Sequence, residues 1–376
     1  MPTRIIQSLV ILSIAAAMMA VAANGFRSLY DREPVVKGPG VTRVAKLSDY
    51  FGGIKGTVAD TEVYILEGSK PGGTVFVMGG VHGNESAGML SAVVLVENAV
   101  VTAGRLIVVP HANESGFTNT APSEGVPARF RIRTEWGSRW FRYGDRLTNP
   151  VHQWPDPEVY VHYPSGQFLS DFDVRNLDRA FPGRPDGNFT ERLGYALTEL
   201  VRREKADLTI DLHEARPMNP IVNCIITHER ARKLASMAAL SLDSQGIQMR
   251  LEPSPKKLRG MSHREMGDHT RTLAVLMETG NPIQDKLHAR ADEALILTGK
   301  DEFFAKAAAR GLLYVPYLEK GLSMEERVGR HVTSVQELVS VFSELYPTRA
   351  VELKHLPGYE ALKEKGIGQF LLRPPS

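Results

Sequence analysis

Three short strand-like segments, each followed by a histidine or a glutamate, constrain the fold of this chain most. TVFVMGG runs into His82 and Glu85, LTID into His213, and LAVLM into Glu278. Helical patterns such as SAGMLSAVVLVENAV and TERLGYALTELVRREK lie between these runs. The alternation predicts an α/β domain from residue 74 onward, in which the four polar side chains emerge at the carboxyl ends of strands. Open α/β sheets place their functional sites there.

The residue types at these strand ends are those of a hydrolytic zinc site. His82, Glu85 and His213 supply two imidazoles and one carboxylate, a ligand set with which catalytic zinc keeps a fourth position open to water. Glu278 is then the candidate general base. Taken alone, each segment is more often structural, because a histidine after a strand is usually a hydrogen-bonded core residue. The occurrence of all three in one chain favours the zinc site.

Four motifs in a fixed order give the chain a resemblance to a known family. It resembles the succinylglutamate desuccinylase/aspartoacylase family, a branch of the zinc carboxypeptidase superfamily, over residues 74 to 282. The resemblance implies a three-layer α/β/α fold with a central mixed, mostly parallel twisted sheet, and one Zn²⁺ ion. The matching motifs are His82-Gly83-Asn84-Glu85, Asn176-Leu177-Asp178-Arg179-Ala180-Phe181-Pro182-Gly183, Asp211-Leu212-His213 and Glu278-Thr279-Gly280-Asn281-Pro282.

The second of these motifs departs from the family pattern, which has Asp at 176 and Asn at 178. In the superfamily the Asn-Arg pair grips a substrate carboxylate, so the resemblance implies substrate-binding roles for Asp178 and Arg179. An ionised aspartate only accepts hydrogen bonds, and Asp178 would repel a substrate carboxylate unless it orients Arg179 or Arg175. Desuccinylases of the family carry an arginine where this chain has Asp171. Arg175 is the nearest replacement, with a surface salt bridge as its alternative role.

The residue types and the resemblance together imply metal-assisted hydrolysis of an amide. Zinc lowers the pKa of a bound water from about 15.7 toward about 7 and polarises a carbonyl. Glu278 would take a proton from the water and pass it to the leaving nitrogen. Arg179, with Arg175, would stabilise the developing oxyanion or hold an acidic group of the substrate. Asp211 faces the same side of its strand as His213, which fits either a hydrogen bond to that ligand or an ordinary strand-end bond.

Composition and charge restrict the class of partner. The chain has 376 residues, 43% of them apolar, and a formal net charge of +2. It can bury a large core and has no overall charge that favours nucleic acid. In the stretch 129–146 arginines alternate with aromatic residues, but Glu135 and Asp145 interrupt the charge. This stretch is predicted to be a loop or hairpin at the mouth of the site, either solvated or shaping the substrate pocket.

The amino terminus predicts export. Arg4 precedes an apolar segment at 5–23 that ends in Ala20-Val21-Ala22, which reads as a signal peptide with a cleavage site. Its length also approaches the roughly 20 residues that span a bilayer, so an uncleaved anchor is the alternative. In either case the catalytic domain is expected outside the cytoplasmic membrane, in the periplasm or an equivalent compartment. The single cysteine, Cys224, excludes an intramolecular disulfide.

Sequence patterns divide the chain into three parts. Residues 1–23 are assigned to the signal peptide or anchor, 24–73 to a leading segment with an edge strand, and 74–376 to the catalytic domain. Within that domain, 121–170 is an insertion, 251–270 is loop-like, and 283–376 is helical. The segment 251–270 is either a solvent loop or a lining of the substrate pocket, for which His263 and Arg264 are the candidates. The sequence does not indicate an oligomeric state.

Three functions are compatible with these features. The first is an exported zinc amidohydrolase that cleaves an N-acyl amino acid or a similar small amide. The second is a zinc peptidase acting on peptides, for example those of the cell wall. The third is a non-catalytic binding protein on the same fold, against which the complete set of His82, Glu85, His213 and Glu278 argues. The expected partner is therefore a small-molecule or peptide amide, with contact to a membrane only through the amino-terminal segment.

Overall fold

The computed structural model describes residues 2–120, 125–284, 287–317 and 320–375. Its helices are α1 (Pro2–Ser28), α2 (Ser86–Asn98), α3 (Phe189–Arg203), α4 (Arg232–Ser244), α5 (Ser262–His269), α6 (Glu293–Thr298), α7 (Glu302–Ala308), α8 (Met324–Leu345) and α9 (Tyr359–Lys365). Its strands are β1 (Arg43–Lys46), β2 (Glu62–Glu67), β3 (Lys70–Gly79), β4 (Val100–Val109), β5 (Arg129–Thr134), β6 (Gly137–Arg142), β7 (Tyr160–Val161), β8 (Phe168–Leu169), β9 (Leu208–Ala215), β10 (Cys224–Thr227), β11 (Arg250–Pro253), β12 (Leu273–Gly280) and β13 (Glu352–Lys354).

The chain forms two compact units, Met1–Glu33 and Pro34–Ser376. The first contains α1, whose stretch Thr3–Ser28 includes an 18-residue window with a mean hydropathy of 2.3 and is long and apolar enough to cross a membrane. Length and composition of this kind are shared by membrane anchors and signal sequences. The helix is therefore compatible with either of the two roles predicted for this segment.

The second unit is built on a mixed sheet of nine strands, in the order β1-β2-β4-β3-β9-β12-β10-β11, with β13 paired to β4. Its centre, β4-β3-β9-β12, is parallel, and antiparallel pairs lie on both sides of that centre. The central strands are almost continuously buried, as expected where helices cover both faces of a sheet. The α/β fold with a mixed central sheet is thus confirmed.

Helices cover the sheet on two faces that differ in what they contain. One face packs against α2, α4 and α8 through side chains such as Val77, Ile210 and Met277. The other packs against α3 and Met266 of α5 through side chains such as Phe76. Side chains alternate between the two faces along a strand. The strand residues that alternate with Val77, Ile210 and Met277 therefore project toward the α3 and α5 side. These residues include Asp211, His213, Leu276 and Glu278.

Helices α3 and α2 begin in different ways, α3 through local residues and α2 through a residue distant in the sequence. Asn188 and Glu191 form a reciprocal capping box at the start of α3, in which each side chain accepts from the other residue's backbone N–H. Helix α2 has no side-chain cap of its own. The carboxylate of Glu214, at the end of β9, accepts from the N–H of Ala87 at 2.9 Å instead. This contact ties the first turn of α2 to the neighbouring strand.

The structure differs from the sequence analysis at the two ends of residues 251–270: residues 251–253 belong to β11 and residues 262–269 form α5, whereas residues 254–261 between them are a loop as predicted. Residues 262–267 of α5 are buried. The helix was not predicted because its sequence is polar. Its buried charged residues form ion pairs with residues outside the helix: Arg264 binds Glu229 at 2.9 Å, and Glu265 binds Arg259 at 2.7 Å. Buried ion pairs of this kind remove the apolar periodicity on which the prediction depends.

The predicted insertion at 121–170 contains the hairpin β5–β6 and the short pair β7–β8, while residues 121–124 lie outside the described part. Two arginines of the basic stretch are buried rather than solvated. Arg139 pairs with Glu97 at 2.8 Å, and Arg142 pairs with Glu114 at 2.7 Å. These arginines therefore anchor the hairpin to the domain and do not form a nucleic-acid surface.

The remaining predicted segments also have counterparts. The leading segment supplies the edge strand β1 and its neighbour β2. The segment 283–376 contains α6 to α9 together with β13, and its residues 285–286, 318–319 and 376 lie outside the described part, as does Met1 at the amino terminus. The domain boundaries themselves stay predictions.

Candidate metal centre and active-site cavity

The turn between β3 and α2 carries His82 and Glu85, and glycines give it its shape. Gly80 has a φ of +66°, and a Cβ there would lie 2.7 Å from the carbonyl oxygen of Pro110. The N–H of Gly83 donates to the carbonyl of Asp145 at 2.8 Å. A position with positive φ and close backbone contact favours glycine. The turn is therefore fixed by its backbone, and both side chains are held at the carboxyl end of β3.

His82, Glu85 and His213 converge in the interior. His82 Nδ1 lies 2.8 Å from Glu85 Oε1, and His213 Nδ1 lies 2.9 Å from Glu85 Oε2. The two imidazole centroids are 4.8 Å apart. Each residue is at most 2% exposed. One candidate ligand atom from each residue lies within 4.8 Å of the other two, so the three could hold one metal ion.

The Nε2 atoms of both imidazoles also have hydrogen-bond partners. His82 Nε2 lies 3.0 Å from Asn176 Oδ1, and His213 Nε2 lies 2.8 Å from Asp211 Oδ2. Asn176 Oδ1 also accepts from the N–H of Asp178 at 3.1 Å, which orients the amide. An oxygen that only accepts selects an imidazole with Nε2 protonated, leaving the Nδ1 lone pair for a metal. This is the usual arrangement of metal-ligating histidines, so the residues fit a zinc ion.

Charges around the centre keep Glu85 ionised. Against the effect of burial, the imidazoles of His82 and His213 hold the pKa of the Glu85 carboxyl well below its usual range. Burial and the nearby Arg146 guanidinium lower the pKa of His82. The pKa of His213 is raised despite burial, because the carboxylates of Asp211 and Glu85 lie on either side of its ring. The centre thus holds an anionic carboxylate between two imidazoles, as a cation site requires.

Glu278 lies on the strand next to His213, where the parallel register of β9 and β12 pairs the two residues. Its side chain is on the same sheet face, and the residue is 8% exposed. Oε2 has no hydrogen-bond partner among the described residues. Burial, followed by the negative charge of Glu85, raises the pKa of Glu278 well above its usual range. A carboxyl group in this environment is suited to accept and release a proton.

A cavity of about 650 Å³ opens beside these residues. Glu85 and Glu278 line it, together with Asp178 and Arg179. Arg179 Nη1 lies 3.3 Å from Asp178 Oδ2, while Asp178 Oδ1 accepts from the N–H of Ser262 at 3.0 Å. Against the effect of burial, His213 and Arg179 lower the pKa of Asp178. The predicted Asp178–Arg179 pairing therefore exists at the wall of the cavity.

Arg175, a predicted substrate-binding residue, lies neither in the candidate metal cluster nor at the wall of this cavity. Its Nε donates to Asp156 Oδ1 at 2.8 Å, and its Nη1 donates to the carbonyl of Thr148 at 3.0 Å. Arg175 is not among the described residues that line the cavity. Its neighbours match the salt bridge that the sequence analysis gave as the alternative.

Two residues of the site have no signal in the sequence analysis. Arg146 and Gln284 both donate to Glu85 Oε1, at 3.0 and 2.8 Å. They come from connections, so no strand-end pattern marks them. His263, which the sequence analysis named as a candidate for lining the pocket, lies at the start of α5, lines the cavity and is 1% exposed. Asn176 lies inside a recognised motif, where the exchange of acid and amide was the available signal.

The fold and the site define a class of protein. A His₂Glu group at the strand ends of a sheet covered by helices is the arrangement of carboxypeptidase-like metallohydrolases. The profile of the succinylglutamate desuccinylase/aspartoacylase catalytic domain matches residues 71–295. The chain belongs to the succinylglutamate desuccinylase/aspartoacylase family.

Solved structures with a similar fold include a succinylglutamate desuccinylase from Silicibacter sp. TM1040, with 14% identity, a TM-score of 0.40, and coverage of 80% of this chain and 64% of that one. A metallo-carboxypeptidase from Burkholderia cenocepacia has 11% identity and a TM-score of 0.47, with 83% and 67% covered. The tripeptide-bound cell shape determinant Csd4 from Helicobacter pylori has 11% identity and a TM-score of 0.43, with 79% and 57% covered. The chain thus spans less than two thirds of the desuccinylase. No curated protein sequence matches this chain.

Proposed function

We propose that this protein is a zinc-dependent amidohydrolase that cleaves an N-acyl amino acid or a similar small amide. The observation that carries the proposal is the convergence of two imidazole Nδ1 atoms on the carboxylate of Glu85, with Glu278 one strand away on the same face. Membership of a family of desuccinylases and aspartoacylases supports the reaction class. The proposal includes Zn²⁺ as the metal and Glu278 as the general base.

His82, Glu85 and His213 would hold one zinc ion, which when bound polarises the scissile carbonyl and acidifies water. Asn176 and Asp211 keep the two imidazoles in the orientation that this binding needs. Arg146 and Gln284 fix the Glu85 carboxylate from the other side. In this proposal these residues bind the zinc ion or orient its ligands.

Glu278 moves the proton. Its Oε2 accepts a proton from the attacking water while the water oxygen bonds to the carbonyl carbon. The same carboxyl then delivers the proton to the nitrogen as the carbon–nitrogen bond breaks, which yields a carboxylic acid and an amine. The raised pKa of Glu278 supports this transfer, because a carboxylate of raised pKa accepts a proton more readily than an ordinary one.

Arg179 is proposed to stabilise the negative charge that develops on the carbonyl oxygen. It lines the cavity, and Asp178 orients its guanidinium from 3.3 Å. Asp178 is assigned to substrate binding through this orienting contact rather than as a hydrogen-bond donor. Arg175 is not included in this proposal, because Asp156 and Thr148 bind it outside the cavity.

A peptidase is the second candidate. The cavity volume of about 650 Å³ exceeds the lower end of the range for ligand pockets and leaves room for a residue on each side of a peptide bond. Export supports this candidate and the first alike. The apolar helix α1 is compatible with a signal peptide or an anchor, either of which would place the enzyme outside the cytoplasm.

The decisive experiment is amine release by the zinc-loaded protein from a panel of N-acyl amino acids and short peptides, with and without a chelator. We expect chelator-sensitive cleavage of the acyl amino acids, restored by added zinc. Cleavage of peptides alone would select the peptidase. Tight zinc binding without turnover of any member would select a binding protein on the same fold.

A further inference from the structure

Strand register places a line of side chains beside the metal centre. Leu276 precedes Glu278 by two residues on β12 and so shares its sheet face. Leu276 pairs with Ile226 of β10, and Ile226 pairs with Glu252 of β11. Leu276, Ile226 and Glu252 therefore cross three adjacent strands in a row. Two strand spacings, about 10 Å, separate the strand of Glu278 from that of Glu252.

The first part of this row is apolar. Leu276 and Ile226 are 2% and 7% exposed, and they cluster with the side chains of Cys224 and Ile221. All of these except Cys224 line the cavity, together with Leu258 and Met261 from the segment that leads into α5. We call this lining the apolar arm, and it consists of Ile221, Ile226, Leu258, Met261 and Leu276.

The charges around the apolar arm disfavour an anionic ligand there. Two of the arginines that line the cavity are already bound to acids: Arg179 to Asp178 at 3.3 Å and Arg146 to Glu85 at 3.0 Å. A third, Arg216, is exposed. Glu252 lines the cavity at the far end of the row, and it makes no ion pair with the described residues. A carboxylate that reached the end of the arm would meet this negative charge.

We propose that the protein selects amides that carry an aliphatic chain with an uncharged end on one side of the scissile bond, and rejects a chain of equal length that ends in a carboxylate. The inference rests on the proposed amide hydrolysis and names its substrate class. Burial of apolar surface favours the aliphatic chain by about 0.8 kcal/mol per methylene, which is about fourfold in kcat/KM.

The test uses pairs of substrates that differ only in a terminal methyl or carboxylate. On the acyl side, butyryl and succinyl derivatives of one amino acid are compared. On the amine side, acetyl-norvaline is compared with acetyl-glutamate. In at least one of these series the zinc-loaded wild type is expected to prefer the uncharged member by tenfold or more in kcat/KM. Equal rates, or preference for the carboxylate, in both series would overturn the inference.

Three variants locate the selectivity. Glu252→Gln keeps the shape of the side chain and is expected to shrink the preference by raising the rate on the carboxylate member. Leu258→Ser, at a half-buried position, is expected to lower the rate on butyryl more than on acetyl substrates. Leu251→Ser is the matched control, because Leu251 lies on β11 but pairs with Ile225 on the opposite face. A preference that is the same in Glu252→Gln and in the wild type would contradict the assignment.

Calorimetry separates failure of this inference from failure of the proposed function. The zinc-loaded Glu278→Gln variant is titrated with the same substrate pairs, so that binding is measured without turnover. Tighter binding of the uncharged member supports the apolar arm even if the wild type hydrolyses nothing. If the wild type hydrolyses amides but neither binding nor rate differs between the paired substrates, the proposed amidohydrolase function stands and the inferred substrate class is wrong.

A second inference concerns His263 and rests on a different observation. The residue is 1% exposed and lines the cavity, yet neither ring nitrogen has a hydrogen-bond partner among the described residues. A buried polar group without a partner costs free energy unless a ligand or water satisfies it. We infer that His263 is a substrate-binding residue whose neutral imidazole hydrogen-bonds a polar group of the substrate. Burial lowers its pKa to about 3, in agreement with a neutral ring.

Replacing His263 tests this role. His263→Leu is expected to raise KM by five- to hundredfold with a smaller change in kcat, because the substrate loses one hydrogen bond in a buried site. His263→Gln, which keeps a donor and an acceptor, is expected to recover most of the loss. Melting temperatures of both variants separate binding from folding. A KM for His263→Leu equal to that of the wild type would assign the residue to the core alone.

Discussion

Glu85 and Glu278 are two buried carboxyl groups in one cavity whose surroundings shift their pKa values in opposite directions. Two imidazoles hold Glu85 in its ionised form, whereas burial and the charge of Glu85 itself raise the pKa of Glu278. Opposite shifts of neighbouring groups commonly identify which group binds charge and which moves protons. The different roles proposed for the two glutamates therefore follow from their neighbours and not from their residue type.

Replacing Glu278 by Gln should separate metal binding from catalysis. We expect zinc content to be unchanged and kcat to fall by about 10²- to 10⁴-fold, because the amide cannot accept the proton. Metal analysis and steady-state kinetics measure the two quantities. His213→Ala is the contrasting variant and should lose the metal itself. Full activity of Glu278→Gln would remove the residue from the mechanism.

Asn176 should influence the metal without touching it. Its Oδ1 is the partner of His82 Nε2 at 3.0 Å. Asn176→Ala is expected to weaken zinc affinity by about 10- to 100-fold, as is usual when the hydrogen-bond partner of a ligand is removed. Asn176→Asp, which restores an acceptor, should retain the affinity. Competition against a chelator provides the measurement, and Asn219→Ala, at another position lining the cavity, is the control.

At the scale of residues, the sequence predicted the members of the site that end strands. His82, Glu85, His213 and Glu278 lie together because the parallel register of adjacent strands brings their carboxyl ends to one place. Arg146, Gln284 and His263 belong to segments whose paths depend on long-range packing, which local patterns do not encode. For the exchanged motif, the sequence indicated an altered interaction but not that Asn176 would hold an imidazole.

Among the elements, α8 supports the candidate metal-binding turn through a buried ion pair. Arg327 Nη1 lies 2.7 Å from Glu214 Oε1, and both side chains are at most 3% exposed. The other carboxylate oxygen of Glu214 caps α2, while the backbone N–H of Glu214 donates to Glu85 Oε2 at 3.0 Å. Glu214 thus links α8 and α2 through its carboxylate, and a candidate ligand through its backbone.

Breaking this pair should destabilise the whole domain. Arg327→Met leaves Glu214 as a buried carboxylate without its cation, and we expect a loss of about 3 to 5 kcal/mol in the free energy of unfolding. Arg330→Met is the control on the same helix, because its partner Glu326 is 34% exposed and such pairs contribute about 1 kcal/mol or less. Thermal and urea unfolding measure the difference, and similar losses in both variants would contradict the assignment.

Helix α2 lies so close to β9 that a methyl group at Gly88 would overlap the carbonyl of Leu212. Gly→Ala in a helix normally stabilises by about 1 kcal/mol, but Gly88→Ala should destabilise by about 1 to 3 kcal/mol because the helix must move. Gly358→Ala, at a position with open space, is the control and should change little. An increase in melting temperature for Gly88→Ala would argue against the close packing of the helix.

The elements show where sequence patterns succeed and fail. Strands β3, β9 and β12 were predictable because they are apolar runs with clear ends, and α3 because its cap and periodicity agree. Helix α5 was missed because its buried charges are paired with residues distant in the sequence, such as Glu229. Local patterns report burial of apolar groups and not burial of ion pairs.

For the molecule as a whole, the sequence predicted an α/β unit and an apolar amino-terminal segment, and the structure contains both. The extent of the second unit, which begins at Pro34, depends on contacts between distant segments that a single sequence does not display. The shape of the cavity likewise could not be predicted from the sequence, because residues from many separate connecting segments line it.

The amino-terminal helix should determine where the enzyme is found. The full chain is expected in the membrane or periplasmic fraction of a bacterial host, because α1 has the length and hydropathy of an export segment. A chain without residues 2–28 should stay in the cytoplasm. Fractionation with immunodetection, and amino-terminal sequencing of the recovered protein, would distinguish cleavage from anchoring. Equal distribution of both chains would contradict the export prediction.

The arrangement of strands has a consequence for how this protein could be engineered. The proposed ligands and base lie at the ends of β3, β9 and β12, whereas two members of the row that faces the substrate, Ile226 and Glu252, come from β10 and β11. Under the proposed function, mutations on these outer strands are expected to alter which amide is accepted without displacing the proposed ligands and base. A protein engineer could therefore vary the substrate preference through Ile226 and Glu252 while keeping the proposed metal ligands unchanged.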